Sequence, residues 1–260
     1  MKRYILILVL FFSASVSFSQ ITMADSSSNI DLIETSQKLL LAAKRHETTD
    51  SLTALFKNIT DQELAKQLTD DNHKKAFWIN LYNAYTQVLL LKNPGMYQKR
   101  SAFFGSRQIA IAGKDLSLDD IEHGILRRSK VKWSLGYFNK WFPSTFEKRN
   151  RVNKLDYRIH FSLNCGAKSC PPIAFYRPDQ LDKQLDMATK TYLKGESELK
   201  MEEKSIYLPT LMSWFRRDFG GKKKMKELLH KINVLSPEQD PTIKFKKYDW
   251  NLFLENYKAE

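Results

Sequence analysis

Lys74-Lys75-Ala76-Phe77-Trp78-Ile79-Asn80-Leu81-Tyr82-Asn83-Ala84-Tyr85-Thr86-Gln87-Val88-Leu89-Leu90-Leu91-Lys92 carries the strongest helical pattern in the chain. It is apolar on nearly every side, and a helix of that kind is buried rather than laid on a surface. Asn93-Pro94-Gly95 ends it, since proline cannot continue a helix and glycine tolerates the turn that follows. Asn80, Asn83 and Gln87 stand at i, i+3 and i+7, one polar stripe inside the burial. Buried amides must be hydrogen-bonded. The stripe therefore either ties the helix to neighbouring backbone or lines a site.

Around this central helix the other elements follow from local signals. Ile30 to Arg45 has helical spacing through Ile33, Leu40 and Leu41. Thr60-Asp61-Gln62-Glu63 is a capping box. Ile109 to Leu116 reads as a hairpin around Gly113-Lys114. Ser117, with Asp120 three residues on, caps a helix to about Arg128. Its core stripe is Leu118, Ile121 and Ile125, with Glu122 beside it and Asp119, Asp120, His123 and Arg127 opposite, which makes His123 a surface histidine. Arg158 to Leu163 alternates as a strand, Pro178 to Leu193 is a helix closed by Gly195, and Ser205 to Leu208 and Ile243 to Phe245 are strands with two helices between them. The sum is an α+β fold, a helix-rich single domain over residues 30–260 with a small antiparallel sheet.

The chain opens with Lys2 and Arg3, then the apolar run Tyr4 to Phe12, then small residues ending in Ser17-Phe18-Ser19. This is the pattern of a cleavable signal peptide over residues 1–19, with 20–29 a flexible new N-terminus. The expected location is periplasmic or extracellular, with no membrane span after cleavage, because the apolar run falls short of the roughly 20 residues a span needs. The formal charge is +13. In an exported protein that charge argues for a solvated basic surface or an anionic envelope polymer, protein or peptide partner, and against nucleic acid.

The most chemically loaded stretch is Arg158-Ile159-His160-Phe161-Ser162-Leu163-Asn164-Cys165-Gly166-Ala167-Lys168-Ser169-Cys170-Pro171. As a strand it puts Ile159, Phe161 and Leu163 in the core and His160 toward a cleft or solvent. Cys165 and Cys170 admit a disulfide, a free structural thiol pair, or thiol chemistry. An even cysteine count in an exported protein favours a disulfide closing the loop. A thiol, an imidazole and an amide close together are also the parts of a nucleophile with its base and orienter, with Gly166-Ala167 backbone N–H groups for an oxyanion. The spacing of His160, Cys165 and Cys170 fits no familiar zinc site, so neither metal nor cofactor is expected. Glu122, a carboxylate at the edge of an apolar stripe, needs a partner such as Arg158, or else a raised pKa suited to acid–base work.

Phe77 to Ala84, Leu116 to Arg127, Arg158 to Pro171, and Trp214 with Asp218-Phe219 occur in this order. Together they resemble the family called domain of unknown function 547, over about residues 72–220. The resemblance implies a fold and a site region rather than a reaction. Candidate catalytic residues are therefore His160, Cys165, Cys170, Asn80 and Glu122, and candidate binding residues Asn83, Asn164, Arg158 and Ser169. The leading expectation is a non-catalytic binding or structural module with a stapled Cys165/Cys170 loop. The alternative is a thiol-dependent hydrolase or acyl transferase, with papain- or transglutaminase-like logic, acting on an amide bond.

Overall fold

The computed structural model describes residues 30–258. The expected signal peptide and N-terminal tail lie outside the described residues. From Asp31 onward the chain forms one compact unit, built on the helix quoted above.

In chain order α1 is Leu32–Lys44, α2 Asp50–Asn58, α3 Asp61–Gln67 and α4 Asp71–Lys92. Asp31 caps α1 by accepting from the N–H groups of Ile33 and Glu34, and Asp70 caps α4 in the same way. The Thr60/Glu63 capping box of α3 is present in both directions. α1 lies along α4, burying Leu32, Leu39, Leu40 and Ala43 against it. From Ala76 to Val88 every side chain of α4 is buried. Its aromatics interlock edge to face, with Phe77 meeting Phe56 at 5.9 Å and Trp78 meeting Phe146 at 6.4 Å.

The amide stripe of α4 joins distant backbone. Asn80 Nδ2 donates to the Tyr176 carbonyl at 2.9 Å and to Ser36 Oγ at 3.2 Å, while its Oδ1 accepts from the Tyr176 N–H at 2.9 Å. Asn83 Nδ2 donates to the Ser162 carbonyl and its Oδ1 accepts from the Asn164 N–H. Asn80→Leu should lower stability by about 1–3 kcal/mol, because buried groups lose their partners. A urea melt of the folded variant is the measurement, and an unchanged midpoint would contradict this account of the stripe.

α5 is Arg100–Gly105. β1 (Ile109–Ile111) pairs antiparallel with β2 (Lys114–Leu116), Ile109 opposite Leu116. Ala112 and Gly113 both take positive φ, as the tight hairpin turn requires. α6 is Thr145–Asn150, α7 Leu181–Glu196, α8 Leu211–Trp214 and α9 Gly221–Lys231. β4 (Ser205–Leu208) is the middle strand of a second sheet, antiparallel to β3 (Glu198–Lys200) and parallel to β5 (Thr242–Phe245). The parallel pairing follows from the crossover through α8 and α9. The fold is thus α+β and helix-rich.

Three segments differ from expectation. Arg158 to Leu163 is not a strand, and Tyr157–Phe161 is a 3₁₀ turn. Asp156 caps it by accepting from the Arg158 N–H, and turn bonds run from Ile159 to Asp156 and from Ser162 to Ile159. A capped turn satisfies its backbone locally, so no strand partner is needed. The helix after Ser117 begins with the expected cap, but Asp120–Leu126 is wound as a π-helix, with the Arg127 N–H reaching the Glu122 carbonyl. The wider turn carries His123 and Arg127 inward, so both are buried rather than on the outer face. α7 continues past Gly195 to Glu196, and its expected first turn is a 3₁₀ turn at Pro178–Gln180.

Candidate functional site

The loop 164–172 is clamped from three sides. Asn164 Nδ2 donates to the Pro171 carbonyl and its Oδ1 accepts from the Gly166 N–H, both at 2.8 Å. Ser169 Oγ accepts from the Asp249 N–H, and the Tyr192 hydroxyl of α7 donates to the Ser169 carbonyl. The Lys168 N–H donates to the Asn251 carbonyl. Gly166 sits at φ +85°, and a Cβ there would come within 2.8 Å of Leu90, so this turn requires glycine. Asn83, Asn164 and Ser169 are accordingly clamps that shape the loop.

That clamp brings the two cysteines together. Their sulfurs stand 2.6 Å apart as free thiols. The Cys165 N–H donates to Cys170 Sγ at 3.0 Å. The Tyr248 hydroxyl lies 3.3 Å from Cys165 Sγ and 3.1 Å from Cys170 Sγ. Hydrogen bonding from the Cys170 thiol lowers the pKa of Cys165 against the opposing effect of burial, with the Tyr248 hydroxyl and the Ala167 backbone assisting. Burial pushes Cys170 well up, and the Cys165 charge adds to it. Cys165 is therefore the sulfur of the pair that gives up its proton more readily. Cys170 is buried, whereas Cys165 is partly exposed.

Both sulfurs face a cavity of about 450 Å³, which Tyr82, Glu122, His123, His160 and Tyr248 also line. Glu122 does not pair with Arg158. It accepts a hydrogen bond from the Tyr82 hydroxyl at 3.2 Å. Arg158 is held by Asp156, Asp182 and Asp186 at 2.7–2.8 Å and is not part of the cavity wall. Burial raises the Glu122 carboxyl from 4.5 to about 7, Arg127 opposing and Asp119 adding to the rise. At neutral pH it is shared between acid and base forms.

His160 lies in the same wall but is not hydrogen-bonded to either sulfur. Its Nε2 meets Asp218 Oδ2 at 2.9 Å, and its ring stacks on Phe215 at 3.9 Å. Arg127 Nε donates to the same Asp218 oxygen at 2.7 Å, and Arg127 Nη1 donates to His123 Nδ1 at 2.9 Å. Because arginine can only donate, His123 carries its proton on Nε2. Burial lowers His160 to about 4, Asp218 opposing, and burial together with the Arg127 charge lowers His123 well below the usual imidazole range, so both rings are neutral at pH 7. Burial alone would raise the Asp218 carboxyl; hydrogen bonds from His160 and Arg127 outweigh it and hold it at about 2. An ionised Asp218 fixes the His160 proton on Nε2.

The expected oxyanion donors are already engaged, the Gly166 N–H by Asn164 and the Ala167 backbone by Cys165. Asn80 stays with Ser36 and Tyr176, away from the cavity wall. Tyr82, Arg127, Asp218 and Tyr248 complete the site but were not among its candidates. Tyr82, Arg127 and Asp218 all lie in the segments that carry the family resemblance. Tyr248 lies in a run of aromatics and lysines near the C-terminus that carries no local signal. Among the described residues, no group of three His, Cys, Asp or Glu side chains is arranged to hold a metal ion, and no helix is long and apolar enough to cross a membrane.

Residues 65–193 match the family model described as protein of unknown function, DUF547. That stretch belongs to the DUF547 family. No curated protein and no solved structure matches the chain. The DUF547 stretch supplies Tyr82, Glu122, His160 and both cysteines, while Asp218 and Tyr248 come from the segment that follows it.

Proposed function

We propose that the chain is a thiol-dependent acyl transferase or hydrolase, with Cys165 the nucleophile and Glu122 the general acid. The observation that carries this is Cys165, a partly exposed residue on a cavity wall, with hydrogen-bond donors directed onto its sulfur and a carboxyl near pKa 7 in the same wall. A stabilised thiolate is what such chemistry needs. The Cys165 sulfur attacks an amide carbonyl carbon and a C–S bond forms. The C–N bond then breaks, and the leaving nitrogen takes the Glu122 proton. Water cleaves the thioester and returns a proton to Glu122. As the sulfur loses its charge, the Tyr248 hydroxyl is released to donate to the oxyanion. His160, Asp218 and Arg127 are positioning residues that hold this wall. We place the activity outside the cytoplasm, on the pattern of residues 1–19.

A second reading has its own support. Adjacent sulfurs in an oxidising compartment form a disulfide readily, which would leave a binding module with a stapled loop and a basic surface for an anionic envelope polymer. One experiment separates the two. The reduced native protein, treated with p-nitrophenyl butyrate, should gain one butyryl mass, absent in Cys165→Ser. Native alkylation by iodoacetamide at neutral pH should slow roughly tenfold in Tyr248→Phe, the loss of about one hydrogen bond to the thiolate. Native protein whose cysteines resist alkylation until reduced, and which takes no acyl group afterwards, would favour the binding module.

A further inference from the structure

Residues 133–142 read Trp-Ser-Leu-Gly-Tyr-Phe-Asn-Lys-Trp-Phe. Trp133 is 76% exposed, Trp141 88% and Phe142 92%, with Tyr137 and Phe138 more than half exposed. Scattered exposed hydrophobics are ordinary, but five large aromatic rings within ten residues are not. The backbone beneath them is built. The Val131 N–H donates to the Phe138 carbonyl, Lys140 to Ser129, and Arg217 to Leu135. Lys130 bridges Asn139 across the loop. Leu135 and Gly136 turn the tip at positive φ, and Gly136 packs against Asp218 so closely that a side chain there would collide with it. The loop thus holds its rings outward while standing on the site's own carboxylate.

Charge says what covers them. Between residues 128 and 149 lie six basic residues against a single acidic one, Glu147; Lys132, Lys140 and Arg149 are ion-paired to Asp119, Glu147 and Asp61, and Arg128, Lys130 and Lys148 supply the net positive charge beside the rings. A second copy of the chain would bring this positive field against itself. Nearly fully exposed Trp and Phe flanked by lysine and arginine suit an anionic lipid surface, where indole rings settle at headgroup level and basic side chains meet phosphates. We propose that residues 133–142 dock the protein on an anionic lipid bilayer. Trp133 and Leu135 also line the mouth of the cavity, so docking sets that mouth at the membrane. The inference stands apart from the chemistry at Cys165.

Co-sedimentation of the full chain with vesicles tests it. The protein should bind phosphatidylcholine–phosphatidylglycerol vesicles and release as salt rises, and bind phosphatidylcholine alone at least roughly tenfold more weakly. Trp141→Ala/Phe142→Ala should lower binding to the anionic vesicles at least roughly tenfold with an unchanged circular dichroism spectrum, because both rings lie outside the core. Met201→Ala, which removes an exposed hydrophobic elsewhere, should leave it unchanged. Equal binding by the double variant, or equal binding to both vesicles, would overturn the proposal. So would a dimer in sedimentation velocity that the double variant abolishes, which would assign the face to a second copy.

Discussion

Asp218→Ala should cost the fold about 3–5 kcal/mol, since removing one partner of a buried ion pair leaves the other charge uncompensated. Arg127 has no exposed side-chain surface and cannot shed its proton, so the stranded charge cannot neutralise itself. The same carboxylate oxygen also accepts from His160, so the histidine loses its anchor at once. Asp218→Asn keeps an acceptor of the same shape and should fall between parent and Ala. The double variant Arg127→Met/Asp218→Leu should recover much of the loss, because an apolar pair carries no desolvation penalty. Urea unfolding of the four proteins measures this. If Asp218→Ala and the double variant are equally destabilised, the cost lies in packing and the ion pair is not what holds this wall. The pH dependence follows the same geometry. Asp218 is depressed from 3.8 to about 2, so its contribution is whole above 3.8 and is lost as pH falls through 2. His160 is depressed from 6.5 to about 4, so stability also falls as pH drops through that interval, the unfolded chain taking up the proton first.

What the sequence reveals of this molecule divides along a physical line. The α4 helix, the Thr60/Glu63 box and the 109–116 hairpin are each specified by neighbours within a few residues, and each forms, the hairpin turning at Ala112-Gly113, one residue before the expected Gly113-Lys114. The buried amides of α4 are legible too, because a polar stripe in an apolar helix must find partners, though not which partners. The misreadings arise where local geometry changes the period. Alternation at Arg158 to Leu163 implies a strand only if no side chain caps the segment, and Asp156 does cap it. His123 and Arg127 point outward only at the angular step of an α-helix, and the π-turn changes that step. The centre of the site is assembled from still farther apart. Arg127 meets Asp218 across 91 positions, and Cys165 meets Tyr248 across 83. Such pairings are set by the packed fold. The sequence could therefore place the cysteines and His160 in one region without revealing that the imidazole serves Asp218 rather than a sulfur.

Glu122→Gln should make the protein more stable above neutrality while removing its acid. The folded-state carboxyl titrates near 7 and the unfolded one near 4.5. Between those values the folded state holds more protons than the unfolded, so the parent loses stability as pH rises through that window. The rise corresponds to on the order of 3 kcal/mol between the neutral and ionised forms, and little is lost to solvent because the side chain is only 14% exposed. Glutamine does not ionise and can still accept from the Tyr82 hydroxyl. The variant should match the parent at about pH 4 and exceed it by on the order of 3 kcal/mol at about pH 8. Between 4.5 and 6.5 the parent curve should be nearly flat, because the falling Glu122 contribution offsets the rising His160 one. In Glu122→Gln the His160 slope should stand alone and stability should climb with pH. Urea midpoints across the range decide it, and parallel curves for the two proteins would mean that Glu122 titrates as an ordinary carboxyl. A carboxyl that destabilises its own fold at neutral pH is the kind of cost an active site bears. If this residue protonates the leaving nitrogen, the stabilised variant should release amine from a peptide amide more slowly than the parent, yet take a butyryl group from p-nitrophenyl butyrate at an undiminished rate, since nitrophenolate departs without needing a proton.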